Sequence, residues 1–311
     1  MITERKHKMS KQNEHLKKIQ AAILAEMDNH GTNWLKPWAA KAAEGFPYNA
    51  ISKKQYNGFN PFWLSAVSLE RGYKSSQWAT FKQWTDKGGS LKGAKGKGVP
   101  VFYWSVSEYK DRNDLDDSGK PKVKKGFIFK NYIVFNRDEV TGLPAEEKLA
   151  DPVAVFDQAN VNQFVDNTQA NIIYGGNRAC YIPALDQINM PNASDFKGTK
   201  TSSAEEAFYS TLLHELVHWT GADTRLKRGK GNAFGSSEYA FEELVAESGA
   251  IMLSVLLGVS PAPRADHAQY LNGWKKAVKD NPKAIFSAFG KAGKAVEYLQ
   301  SLQQGKEEQA A

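Results

Sequence analysis

Between Thr211 and Gly221 the chain reads TLLHELVHWTG, and the spacing of His214, Glu215 and His218 restricts what can be built around it. A helix turns about 100° per residue, so His218 lies about 40° round from His214 and one turn on, with Glu215 about 100° from His214. Both imidazoles and the carboxylate then share one face. On such a face two neutral imidazole nitrogens can hold zinc, and the glutamate can take a proton from a water as general base. The helix is well signalled. Ser203 with Glu206 three residues on is a capping-box pattern, Phe208, Leu212, Leu213, Leu216 and Val217 supply an apolar stripe, and Gly221 is a stop. That stripe buries the helix. A buried histidine can simply satisfy hydrogen bonds, but three polar groups entering a core together need a common partner.

A third ligand is expected on a second apolar helix spanning 239–257 and closed by Gly258. There Glu243 and Glu247 are i,i+4 neighbours on one face. Inward-facing acids on a buried helix are costly unless they meet a cation. Glu243 is therefore expected to complete a Zn2+ site with His214 and His218, and Glu247 to hold a ligand histidine by its other ring nitrogen. Glu242 is read as part of a solvated helix face. Tyr239, one turn before Glu243, is a candidate donor to an oxyanion, with core packing as its competing role. A glutamate and a following acid after His-Glu-x-x-His resemble the gluzincin metallopeptidases.

Charge is divided along the 311 residues. Residues 1–130 hold 24 Lys and Arg against 12 Asp and Glu, while the whole chain has a net charge of +7, so the remainder is acidic. The basic part also carries six of the eight tryptophans: Trp34, Trp38, Trp63, Trp78, Trp84 and Trp104. Lysines that neutralise phosphate, interleaved with rings that stack on unpaired bases, suit single-stranded DNA. A surface of ordinary lysines over a tryptophan core has the same composition. Charge and aromatic density single out Lys53, Lys54, Tyr56, Trp78, Lys82, Lys95 and Lys97 as expected DNA contacts. The single cysteine, Cys180, excludes an intramolecular disulfide and a cysteine zinc cage, which fits a reducing cytoplasm. No apolar run is long enough to span a membrane, and the lysine-rich start lacks an apolar signal region.

The periodicities predict an α+β protein, with a mixed α/β N-terminal domain over 10–140 and a mainly helical domain with a small β-sheet over 150–305. The basic, aromatic-rich composition of the first suits DNA binding, and the His-Glu-x-x-His helix of the second suits a metallopeptidase. Residues 1–13 are expected to be frayed, with a helix over 15–27, an irregular aromatic loop at 34–38 and helices over 62–69 and 74–84. Strands are expected over 99–106 and 127–135, with a charged loop at 111–125 between them. After an acidic linker at 144–152 come a helix at 160–169 and a hairpin of 172–174 with 179–182 about a Gly-Gly-Asn turn. A loop follows at 186–191, and a basic, glycine-rich loop at 225–235 separates the metal helices. Helices at 266–279 and 282–303 follow, and 304–311 is expected to be disordered.

Particular motifs carry a closer likeness. Trp34-x-x-Pro37-Trp38, Pro47-x-Asn49, Tyr56-Asn57-Gly58-Phe59-Asn60, Gly72-Tyr73, Trp78-x-Thr80-Phe81-Lys82-Gln83 and Gly88-Gly89 resemble the N-terminal domain of ArdC-type antirestriction proteins. Val134-Phe135-Asn136 and Gly142-Leu143-Pro144 continue it. Asp186-x-Ile188-x-Met190-Pro191, the His214–Gly221 run, Arg225-Leu226-x-Arg228 and Glu242-Glu243 through Glu247 resemble the zincin-like metallopeptidase domain of the same proteins. The sequence departs from the family's glycine-rich turn near Lys92, where Ala94 stands in place of an acidic residue. The resemblance implies a plasmid- or phage-borne protein that binds single-stranded DNA and shields incoming DNA from host restriction. Three functional classes follow: a DNA-tethered zinc peptidase with a protein substrate, a non-catalytic DNA-coating protein with a structural zinc, and a metal-dependent nuclease. The intact Glu215 favours the first, and a lone His-Glu-x-x-His site suits carbonyl attack better than phosphodiester cleavage.

Overall fold

The structure, a computed structural model, describes residues 2–31, 34–115, 120–144, 155–198, 202–228, 236–260, 271–281 and 283–303. Most of the expected acidic linker, residues 229–235 of the basic loop, the first five residues of the helix expected at 266–279, and the end at 304–311 lie outside them. The architecture is mixed α+β and divides into two compact units: residues 1–47, 55–72 and 148–311 form one, and 48–54 with 73–147 the other.

The smaller unit is a four-stranded sheet. Strands β1 (Tyr48–Asn49), β2 (Gln77–Thr80), β3 (Val99–Leu115) and β4 (Pro121–Asn136) lie in the order β1-β2-β4-β3. β1 runs parallel to β2, and β4 is antiparallel to both β2 and β3. The helix expected over 74–84 is instead β2 followed by a short helix α4 (Phe81–Asp86). Thr80 makes the break. Its extended backbone ends the strand, its hydroxyl accepts from the Gln83 amide, and Gln83 closes the capping box. The charged segment expected as a loop lies largely within β3 and β4, which pair from Val99↔Val134 out to Leu115↔Pro121. Ala50, Ala79, Trp84 and Val140 form a core with Leu91, Phe135 and Leu143 against it, and the Trp84 indole donates to the Phe135 carbonyl at 2.9 Å.

The larger unit starts with α1 (Ile2–His30), which extends through the stretch expected to fray, because its Lys, Gln and Glu residues are good helix formers. Gly31, at φ +58°, ends it. The aromatic segment at 34–38 enters α2 (Lys36–Ala43) rather than staying irregular, with Pro37 in the first turn, where a missing N–H costs nothing. Trp34, Trp38 and Trp63 cluster edge to face, and Trp38 meets Phe59. Trp63 and Phe59 flank the start of α3 (Asn60–Arg71). Helix α5 (Gln158–Thr168) leads to three strands: β5 (Asn171–Tyr174), β6 (Cys180–Ile182) and β7 (Gln187–Met190). The first two do not pair as a hairpin. The segment expected as a loop becomes β7 and lies between them, parallel to β5 and antiparallel to β6. Ile188 and Met190, both fully buried, explain why it is drawn in.

Helices α6 (Ala204–Trp219) and α7 (Ser237–Leu257) follow, then α8 (Leu271–Asp280) and α9 (Ala284–Ser301). Ser203 caps α6 with Glu206 in a capping box, and Gly258 ends α7 in the left-handed conformation. The approach of α6 to α7 depends on Gly249, where a Cβ would stand 2.8 Å from Val217 Cγ2. On the far side of α7, the Trp274 indole of α8 donates to the Ala240 carbonyl at 2.9 Å.

Candidate metal centre

Helix α6 buries nearly every residue from Ala207 to Trp219, so His214 and Glu215, 1% and 3% exposed, sit in the core. Helix α7 brings Glu243, 5% exposed, against them. His214 Nε2 and His218 Nε2 are 3.0 Å apart. Glu243 presents Oε2 to His214 Nε2 at 3.5 Å and Oε1 to His218 Nε2 at 3.4 Å. These spacings can be compared with a tetrahedral ion. Ligand bonds of about 2.0–2.2 Å separate neighbouring donors by about 3.3–3.6 Å. The three donors therefore stand nearly as far apart as they would around one divalent cation.

Carboxylates also face the outer ring nitrogens. His214 Nδ1 faces Glu247 Oε2 at 3.5 Å, and His218 Nδ1 faces Glu242 Oε1 at 3.6 Å. Acceptors on that side favour the proton on Nδ1, which turns both Nε2 lone pairs toward the common point. Two lone pairs 3.0 Å apart beside a carboxylate call for positive charge between them. Burial opposes a charge on His218, but the Glu242 and Glu243 carboxylates outweigh burial and raise its pKa to about 10. Burial would raise the Glu243 carboxyl, yet its contacts with the two imidazoles keep it far below the ordinary range.

Glu242 does not lie on a solvated face. Its carboxylate is gripped by Arg228, whose Nη2 reaches Glu242 Oε1 at 3.1 Å, Nη1 donates to Thr220 Oγ1 at 2.8 Å and Nη2 also donates to the Val217 carbonyl at 2.5 Å. Burial pushes the Glu242 carboxyl up, while His218 and Arg228 together bring it below its usual value. Gly221 lets the chain turn this closely after α6, because a Cβ there would meet the His218 carbonyl at 2.9 Å.

Glu215 Oε2 accepts the Tyr181 backbone N–H of β6 at 2.9 Å, so the carboxylate faces the edge of the small sheet. Tyr239 is half-buried in the first turn of α7, where its amide donates to the Ser236 hydroxyl at 3.1 Å.

The residues expected to touch DNA divide by burial. Lys53, Lys54, Lys82, Lys95 and Lys97 are exposed. Lys53 is at φ +59° with its ammonium 5.9 Å from the Tyr48 ring centre, Lys82 pairs with Asp86 at 2.7 Å and Lys97 with Glu139 at 2.7 Å. Trp78 is fully buried and Tyr56 is 5% exposed, so neither ring has a free face for a base. Trp34, Trp38 and Trp84 are likewise core. Sequence reasoning missed the exposed aromatic pair of the smaller unit. Tyr103 and Tyr132, 38% and 48% exposed, stand edge to face at 5.5 Å on one face of β3 and β4.

Residues 159–291 match the family of zincin-like metallopeptidases, and residues 13–135 match the N-terminal domain of the anti-restriction factor ArdC. Together they define an antirestriction-type protein with a zincin-like domain. Two Escherichia coli proteins named DNA primase TraC are 33% and 32% identical over 92% and 91% of the chain, which spans only 20% and 27% of their lengths. An uncharacterized protein of Sinorhizobium fredii is 29% identical over 92% of the chain and 91% of its own length. The metal-free crystal structure of the antirestriction protein ArdC from plasmid R388 superposes with a TM-score of 0.72 at 32% identity, covering 93% of this chain and 97% of that one. Its Mn(II)-bound structure gives a TM-score of 0.71 at 30% identity, over 94% and 98%. The chain belongs to the ArdC family of antirestriction proteins.

Proposed function

We propose that this chain protects incoming DNA from restriction by binding single-stranded DNA and by holding a divalent ion, zinc, on His214, His218 and Glu243. The observation that carries the metal reading is the convergence of three donor atoms, all within 4.8 Å of one another, on one buried point. The Mn(II)-bound relative supports a divalent ion, and two imidazoles with one carboxylate suit zinc. A bound ion would supply Lewis acidity toward a peptide carbonyl. Glu215 would take the proton of the attacking water, Tyr239 would donate to the developing oxyanion, and Glu242 and Glu247 would fix the imidazole tautomers. The substrate class is a polypeptide. A buried glutamate beside the donors is what hydrolysis needs and what a purely structural ion does not.

The DNA surface belongs to the smaller unit. Its sequence, residues 48–54 and 73–147, contains 16 Lys and Arg against 10 Asp and Glu. Exposed Lys53, Lys54, Lys82, Lys95 and Lys97 would neutralise phosphates, and Tyr103 and Tyr132 would take the stacking role that buried Trp78 and Tyr56 cannot.

Transfer of a plasmid into a restricting host tests the reading, comparing wild type with a folded, metal-loaded Glu215→Ala. Loss of protection in the variant is expected. Undiminished protection would mean that DNA coating suffices and that the ion is structural, which is the alternative reading.

A further inference from the structure

Four residues outside the donor set form a closed loop around Glu215. Tyr181 is the middle residue of β6, an edge strand, opposite Ile188. Successive residues of an antiparallel strand turn their amides alternately toward and away from the partner. The Tyr181 N–H turns away from β7 and donates to Glu215 Oε2 at 2.9 Å, which leaves the Cys180 and Ile182 amides facing β7. At the other end of the same residue, the Tyr181 hydroxyl donates to Asp186 Oδ1 at 2.9 Å. Asp186 ends the β6–β7 turn at φ +47°, in the left-handed region that aspartate enters more readily than most non-glycine residues.

Arg225 ties down the Asp186 carboxylate. Its Nη1 donates to Asp186 Oδ2 at 2.9 Å, its Nη2 grips Asp186 Oδ1, and Nη2 also reaches the Tyr181 hydroxyl at 3.3 Å. On its other side, Nε donates to the Trp219 carbonyl at 2.6 Å and the guanidinium lies 3.9 Å over the Trp219 ring. Trp219 is the last residue of α6, the helix that carries Glu215. The loop therefore runs from Glu215 along α6 to Trp219, through Arg225 to Asp186 and Tyr181, and back through the Tyr181 amide to Glu215.

We propose that Arg225 is a positioning residue for Glu215, clamping the β6–β7 turn to the end of α6 so that the Tyr181 amide fixes where the Glu215 carboxylate points. The proposal rests on the reading of Glu215 as the base. A base must lie within hydrogen-bond reach of its proton, and a freely rotating carboxylate would spend little time there. The clamp needs a planar fork that stacks and grips a carboxylate with two donors at once, which lysine does not supply.

Amide hydrogen exchange in the isotope-labelled full chain tests it. Glu215→Ala is expected to speed exchange at Tyr181 by about tenfold, the loss of one charge-assisted hydrogen bond, with Cys180 and Ile182 unchanged. Arg225→Lys and Asp186→Asn are each expected to give the same selective acceleration. If both leave Tyr181 at its wild-type rate, or if they speed Tyr181, Cys180 and Ile182 alike, Arg225 only stabilises the fold and the positioning role is overturned. Zn2+ affinity, measured on the same samples, keeps the two readings apart. A wild-type chain that takes up no Zn2+ overturns the metal site, whereas the Tyr181 rates report on the clamp alone.

Discussion

Glu242 and Glu243 are neighbours in sequence but have different tasks. Glu243 faces the converging imidazoles, and Glu242 lies between Arg228 and the outer nitrogen of His218. Partners on that outer nitrogen set the tautomer and typically change metal affinity by about 10–100-fold. Glu242→Gln is accordingly expected to weaken zinc binding within that range while leaving the fold intact, because Arg228 keeps the Val217 carbonyl and the Thr220 hydroxyl. Competition with a chromophoric chelator measures it. The His-Glu-x-x-His group was legible in the sequence because its geometry is local, set by one helical turn. The task of Glu242 was not legible. It depends on an arginine fourteen positions earlier, brought back by a turn that only the folded chain makes. The tyrosine pair was equally hidden, since composition counts aromatic rings but not which of them face water.

At the scale of elements, the helices were readable and the strands much less so. Apolar spacing and capping residues marked α5, α6, α7 and α9 within a few residues, because a helix satisfies its own backbone. The segment at 74–84 carries helix-like spacing, yet Trp78 and Ala79 find partners in β4 more than fifty residues away. The same non-local pairing pulled β7 between β5 and β6. Packing of α6 on α7 sets the donor geometry, and Gly249 is its tightest point. Gly249→Ala would place a methyl carbon 2.8 and 2.9 Å from the two γ-carbons of Val217, a buried, branched side chain with one preferred rotamer in a helix. A cost of about 1–2 kcal/mol is expected after the better helix propensity of alanine is allowed for. Urea denaturation measures it, and adding Val217→Ala is expected to recover part of the loss.

The whole molecule divides its labour differently from the charge pattern along the chain. The basic first part is not one body, because α1, α2 and α3 lie in the compact unit that carries the candidate metal donors. The tryptophans of that part are mostly core, so the interleaving of lysine and tryptophan reflects a buried hydrophobic interior with lysines outside it. Among the described residues, no helix is long and apolar enough to cross a membrane. Candidate donors on two different helices would make ion binding a property of the folded unit, so zinc is expected to stabilise the chain as well as to occupy a site.

Calorimetric titration of the metal-free full chain with Zn2+, alongside Glu243→Ala, tests the central claim most directly. The wild type is expected to bind a single ion per chain, and Glu243→Ala, still folded by circular dichroism, to bind at least about 100-fold more weakly. Wild-type affinity in Glu243→Ala, or no uptake by the wild type, would contradict the assignment of His214, His218 and Glu243 as one metal centre.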